Sequence, residues 1–119
     1  MQKVLFTLYH NPRCSKSRAA LAALTAHGIE PEIVEYLKVP LVPMQLLALA
    51  EKAKVPFRTF LRTKEPLFAA LSLDDLTLTP EALAQIVCAH PELLNRPIIV
   101  GPKGAGLARD EASLAALLP

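Results

Sequence analysis

Apolar residues along this chain alternate between two spacings, and the changes fall at turn-forming residues. Val4, Leu5, Phe6, Leu8 and Tyr9 form the short, β-branched and aromatic run of a buried strand, so a strand is expected within Met1 to Tyr9. From Ser15 to His27 the pattern turns helical, with Ala20, Leu21 and Leu24 on one face and Gly28 placed to stop the helix in the left-handed conformation. After Pro31, the residues Ile33, Val34 and Tyr36 predict a second strand within Ile29 to Tyr36. Strand, helix and strand in so short a span predict a parallel βαβ unit.

The stretch from about 40 to 90 reads as helical throughout. Pro43, Pro56 and Pro66 are each followed by apolar residues at helical spacing, which suggests three short helices started by proline at the first helical position. Thr79-Pro80-Glu81 is a stronger start, because the threonine hydroxyl caps and the glutamate favours the positive end of the helix dipole. Extended structure returns with Pro97-Ile98-Ile99-Val100, a Gly101-Pro102-Lys103-Gly104 turn and a short strand over Ala105 to Ala108. Asp110 then caps a helix carrying Leu114, Leu117 and Leu118. The order is βαβ, a helical insertion, then ββα: an α/β chain of thioredoxin-like arrangement, expected to be one domain over residues 1–119.

Composition narrows the function classes. With 119 residues, 52% of them hydrophobic, the chain has enough apolar material for a real core. A net charge of +2 exerts no general pull on nucleic acid, so none is expected as a partner. No apolar run approaches membrane-spanning length, and the run to Tyr9 meets His10 and Pro12 where a secretory signal would place small residues. Two cysteines, Cys14 and Cys88, are too few for a disulfide scaffold, and no His/Cys cluster has metal-ligand spacing. A monomer in the reducing cytoplasm, with no metal or bound cofactor, is the expectation.

The chemistry concentrates in Tyr9-His10-Asn11-Pro12-Arg13-Cys14-Ser15-Lys16-Ser17-Arg18. A thiol reacts as its thiolate, and its pKa of roughly 8.5 falls at a helix N-terminus near cations. Cys14 stands where the first strand turns into the first helix, flanked by Arg13, Lys16 and Arg18, and is the candidate nucleophile. The same positive end attracts an anion. Ser17 makes the motif Cys-x-x-Ser, so a resolving thiol must come from outside.

Taken with Leu61-Arg62-Thr63-Lys64-Glu65, Asn95-Arg96-Pro97-Ile98-Ile99-Val100 and Gly106-Leu107-Ala108-Arg109, this motif resembles the glutaredoxin-coupled arsenate reductases of the ArsC family, in order and spacing over essentially the whole chain. The resemblance implies that Cys14 attacks arsenate, that Arg62, Arg96 and Arg109 hold the oxyanion, and that glutathione with glutaredoxin completes reduction to arsenite. Guanidinium suits that task because its planar donor fork matches paired oxyanion oxygens. Although X–Pro bonds in folded proteins are cis only about 5–6% of the time, the thioredoxin-like resemblance implies a cis bond before Pro97, bringing the Arg96 backbone beside Cys14. One departure stands out: Asp110 follows Arg109 where many family members have proline, so a carboxylate stands beside a group meant to hold an anion, which weakens the part expected of the third arginine.

Several supporting residues keep two readings. His10 either helps hold Cys14 ionised or bonds a turn carbonyl. Ser17 and Arg18 lie in the first helical turn within reach of a substrate, with Arg18 equally placed to pair with Glu30, Glu32 or Glu35. Asn11 is expected to order the turn. Cys88, His27, His90 and Lys64 read as structural or surface residues.

Three rival functions follow from related chemistry. A low-molecular-weight phosphatase loop requires Cys-x5-Arg, but position 20 is alanine. A regulator resembling the Spx branch shares the fold, binds RNA polymerase and typically carries a Cys-x-x-Cys switch; Ser17 argues against the switch and leaves polymerase binding open. A glutathione-dependent thiol oxidoreductase would use the arginines for glutathione carboxylates.

Overall fold

The computed structural model describes residues 6–118, and they divide into two compact units: residues up to Val39 together with those from Arg96 onward, and Pro40–Asn95. In the first unit, β1 (Thr7–Tyr9), β2 (Glu32–Val34), β3 (Ile98–Gly101) and β4 (Gly104–Leu107) form one sheet in the order β2-β1-β3-β4. β1 runs parallel to β2 and antiparallel to β3, with Tyr9 opposite both Val34 and Ile98. This is the thioredoxin-like βαβ…ββα arrangement, and the crossover between the parallel strands is helix α1 (Ser15–Ala26). The part of the first strand expected before Phe6 lies outside the described residues.

Apolar burial explains why these short strands hold. Leu8 and Ile99, cross-strand partners, are both fully buried and join Phe6, Ala20, Leu24, Ala108, Leu117 and Leu118 in one core. Fully burying a leucine or isoleucine side chain contributes about 1.5–3 kcal/mol, and the strands supply such residues from the sheet while α1 supplies Ala20 and Leu24. Gly28 ends α1 with φ +72°, the left-handed stop its sequence predicts.

The second strand is shorter than expected from Ile29 to Tyr36. β2 is an edge strand with Glu32 and Ile33 exposed, so only three residues find ladder partners on β1. The last strand begins at Gly104, one residue before the expected start, because that glycine pairs with Gly101 across the hairpin.

The second unit contains α2 (Pro43–Ala53), α3 (Pro66–Ala70) and α4 (Pro80–Ala89). Pro43, Pro66 and Pro80 do start helices, whereas Pro56 starts only the 3₁₀ turn Phe57–Phe60. That turn buries both phenylalanines, whose rings meet edge to face at 6.4 Å, and the chain then leaves in extended conformation at Leu61. α2 buries Leu46, Leu49 and Ala50, and α4 buries Leu83, Ala84 and Val87. The Thr79 hydroxyl caps α4 by accepting from the Ala82 N–H at 3.1 Å.

Candidate active site

The reactive turn is built at the end of β1. The Asn11 carbonyl accepts from the Cys14 N–H at 2.9 Å, and the Asn11 side-chain oxygen accepts from the Arg13 N–H at 3.0 Å. Asn11 thus orders the turn, as its residue type suggests. Cys14 is itself the residue preceding α1, in extended conformation, and its carbonyl accepts the first helical hydrogen bond from the Arg18 N–H at 3.0 Å.

Three effects act on the half-buried sulfur. Burial opposes ionisation, but the Ser17 N–H, the hydrogen-bonding and charged guanidinium of Arg96, and the Lys16 N–H favour the thiolate and hold its pKa below that of an ordinary thiol. The backbone groups face the sulfur without closing a tight capping hydrogen bond on it. The cation at the sulfur is therefore Arg96, which arrives from the start of β3. Of the expected flanking cations, Arg18 turns back to donate to the Pro12 carbonyl at 2.9 Å, Arg13 is exposed, and Lys16 contributes its backbone N–H.

His10 and Ser17 form a buried polar pair beneath the turn. Ser17 is completely buried, its Oγ accepts from the Asn11 N–H at 3.0 Å, and His10 Nδ1 lies 2.7 Å from the same oxygen. Burial foremost, and Arg18 to a smaller extent, lower the His10 pKa against the opposing pull of Glu35, favouring the neutral ring. A neutral ring with Nδ1 unprotonated accepts a hydrogen bond from the Ser17 hydroxyl, leaving Oγ to accept from the Asn11 N–H. His10 thus acts through the turn, without lending positive charge to the sulfur. The Ser17 hydroxyl holds the strand end and the helix start together, while its backbone N–H is the group that faces the sulfur. Arg18 makes its contact to Pro12 in place of a pairing with Glu30, Glu32 or Glu35.

The arginines fall in both units. The Arg96-Pro97 bond is cis, as the resemblance implies, and Pro97 is fully buried. Arg109 Nη1 donates to the Arg96 carbonyl. Asp110 does not draw it away: its carboxylate caps α5 (Glu111–Leu117) by accepting from the Ser113 N–H at 2.7 Å. Those hydrogen bonds to Ser113, with smaller help from Lys16 and the Ala112 N–H, hold Asp110 below the usual carboxylate range. In the second unit, Arg62 donates its N–H to the Leu93 carbonyl at 2.8 Å, next to a bridge between Leu61 and Leu94, and its guanidinium pairs with Glu65 at 3.0 Å.

The remaining residues match their structural readings. Burial pushes the half-buried Cys88 thiol up, His27 Nδ1 lies 2.9 Å from the Ala23 carbonyl at the end of α1, and Lys64 is exposed. Among the described residues, no group of three or more His, Cys, Asp or Glu side chains is placed to hold a metal ion, and no helix is long and apolar enough to cross a membrane.

Sequence reasoning missed two features: the identity of the cation at the sulfur and the buried His10–Ser17 pair. The only local signal for the first is an arginine placed immediately before the proline that opens β3.

The chain is similar to known proteins in sequence and in fold. The sequence model of the ArsC family matches residues 9–117. The chain is 41% identical over 113 residues to an arsenate reductase of Rhizobium meliloti (strain 1021), covering 95% of this chain and 81% of that protein. It is 42% identical over 103 residues to the uncharacterised protein YfgD of Escherichia coli (strain K12), covering 86% and 87% respectively. The solved structure of an arsenate reductase from Vibrio cholerae superposes with a TM-score of 0.91 at 34% identity, over 98% of this chain and all of that one.

Proposed function

The chain belongs to the ArsC family, and from that membership we propose that it is an arsenate reductase with Cys14 as its nucleophile. The observation that carries the reading is the Cys14 sulfur itself, held toward the thiolate by the Arg96 guanidinium and two N–H groups of the helix start. That field stabilises an attacking thiolate and attracts an oxyanion to the same place.

The chemistry follows from one thiol in the motif. The Cys14 thiolate forms a sulfur–arsenic bond, and an arsenate oxygen leaves as water after protonation. Arsenic(V) becomes arsenic(III) by taking two electrons from two external thiols, which end as a disulfide; the net change is arsenate plus two thiols to arsenite, disulfide and water. Glutathione is the first of these thiols and glutaredoxin removes it. Glutathione's addition at arsenic releases a second water, and one water is then consumed in cleaving the sulfur–arsenic(III) bond, which frees arsenite and returns Cys14 as a thiolate, so it acts as a covalent handle and is not itself consumed.

Arg62, Arg96 and Arg109 are assigned to the oxyanion, each offering a guanidinium that keeps its charge at any working pH. A reducing cytoplasm, which leaves Cys14 unoxidised, fits this reaction.

The test combines turnover of arsenate by glutathione and glutaredoxin with protection of Cys14 from iodoacetamide by arsenate, phosphate or sulfate. Wild-type protein is expected to turn over and be protected, while Arg62→Lys and Arg96→Lys keep charge but lose the bidentate fork. One lost charge-assisted contact contributes about 1.5–3 kcal/mol, so each variant should need about tenfold or more oxyanion for equal protection. Absence of both turnover and protection in the wild-type protein overturns the reading. Protection unchanged in both variants removes those arginines from the site.

A further inference from the structure

Arg96 reaches the sulfur from a segment whose two consecutive carbonyls are both held by the junction between β4 and α5. The Ala108 N–H donates to the Pro97 carbonyl at 3.0 Å, and Arg109 Nη1 donates to the Arg96 carbonyl. The first contact uses backbone and survives any substitution at Ala108 that keeps the N–H. The second depends on one side chain. Asp110 leaves that side chain alone, because its carboxylate is occupied by the Ser113 N–H at the start of α5. A guanidinium has five N–H donors, so one given to a carbonyl leaves others for a ligand.

An arginine side chain loses up to about 2 kcal/mol of rotamer freedom when fixed. Its aim is therefore reproducible only if the backbone at its root does not move. We infer that Arg109 is a positioning residue: its hydrogen bond to the Arg96 carbonyl fixes the backbone from which the Arg96 guanidinium extends to the Cys14 sulfur. This role is additional to any contact with an oxyanion, and it operates in the empty site. It rests on the proposed use of Cys14 as nucleophile only for its catalytic meaning.

The other groups that act on the sulfur are the Ser17 and Lys16 N–H groups, both on α1 and both backbone, so they are unaffected by changes at positions 96 and 109. A double-substitution cycle on the full chain, read by the pH profile of iodoacetamide alkylation at Cys14 without any oxyanion, isolates the coupling. Arg109→Met should lower the alkylation rate at neutral pH about threefold to tenfold, within the range for residues sharing one network. In an Arg96→Met background, the same Arg109→Met change should have almost no further effect. Arg109→Lys, which retains charge and an N–H donor, should recover part of the rate.

Two outcomes overturn the inference. If Arg109→Met leaves the alkylation profile unchanged, the contact does not position Arg96. If it lowers the rate equally with and without Arg96, Arg109 acts on the sulfur by its own charge. Circular dichroism checks folding, and where Arg109→Met does not fold, the cycle is read with Arg109→Lys, for which any loss of rate must likewise disappear without Arg96. Arsenate turnover and oxyanion protection do not enter this cycle, so failure of the proposed function and failure of the inference are separately visible.

Discussion

Cys14 and Cys88 are both half-buried thiols, and burial raises the pKa of each. At Cys88, in the last turn of α4, burial is the cause that acts, and the unpaired carbonyls of a helix end are no help to a thiolate. Cys14 stands at the other kind of helix end, where N–H groups face it, and a guanidinium from β3's entrance adds hydrogen bonding and charge. Two partly buried thiols thus have their pKa values moved in opposite directions. What separates a reactive cysteine from an inert one here is the set of donors aimed at the sulfur, and access to solvent is secondary.

The sharpest way to break that comparison is to remove each thiol in turn. Cys14→Ser should bring arsenate turnover to background, while Cys88→Ser should keep it nearly intact. A large loss in a folded Cys88→Ser protein, seen in the same glutathione and glutaredoxin assay, would mean that the second cysteine belongs to an internal relay.

The next effect is on the scaffold of the reactive turn. Ser17→Ala leaves the buried His10 ring and the Asn11 N–H without the oxygen they share, and should cost about 1–3 kcal/mol in denaturant unfolding. Alkylation of Cys14 should slow in this variant, because the turn that aims the Ser17 N–H is loosened, with Cys88 labelling unchanged. Equal slowing at both cysteines would point to general loosening of the protein.

The smallest effect is a pair of opposed pH trends. Cys14 has its folded pKa lowered, so its ionisation contributes stability that is fully present above the ordinary thiol pKa and lost as pH falls through the folded value. Cys88 has its folded pKa raised, so its contribution is present below the ordinary value and lost as pH rises through the folded one. Melting temperatures of wild type minus Cys14→Ser should therefore rise with pH toward the thiol range, and those of wild type minus Cys88→Ser should fall. Differences of about 1–2 °C are expected for sub-kilocalorie contributions. Parallel curves would erase the distinction between the two sites.

Much of this was legible in the sequence because the signals are local. Thr79, Pro80, Gly28 and Asp110 each satisfy or break helix geometry within a few residues, and each does so in the structure. The βαβ start and the hairpin follow from spacing alone, and the cis bond at Pro97 followed from the family resemblance. What local reading cannot supply is direction. Arg13 and Arg18 flank Cys14 in sequence, yet the turn points Arg18 at Pro12, while the cation that reaches the sulfur comes from a strand far along the chain. Ser17 likewise offers two groups in the first helical turn, and it is the buried His10 beneath the turn that takes the hydroxyl and leaves the N–H facing the sulfur. β2 fell short because its one neighbour in the sheet, β1, pairs only with Glu32, Ile33 and Val34, a length that the sheet and not the local sequence sets.

The antiparallel register of β1 with β3 has a consequence for quality control during folding. Leu8 faces Ile99 and Tyr9 faces Ile98, and Arg96 enters the same strand two residues earlier. A slip of one residue would turn the fully buried Leu8 or Ile99 toward the wrong face of the sheet and in the same movement carry Arg96 off the Cys14 sulfur. Misregistered molecules would thus lose their core and the guanidinium at the sulfur together, so the full set of donors on Cys14 marks a correctly registered sheet.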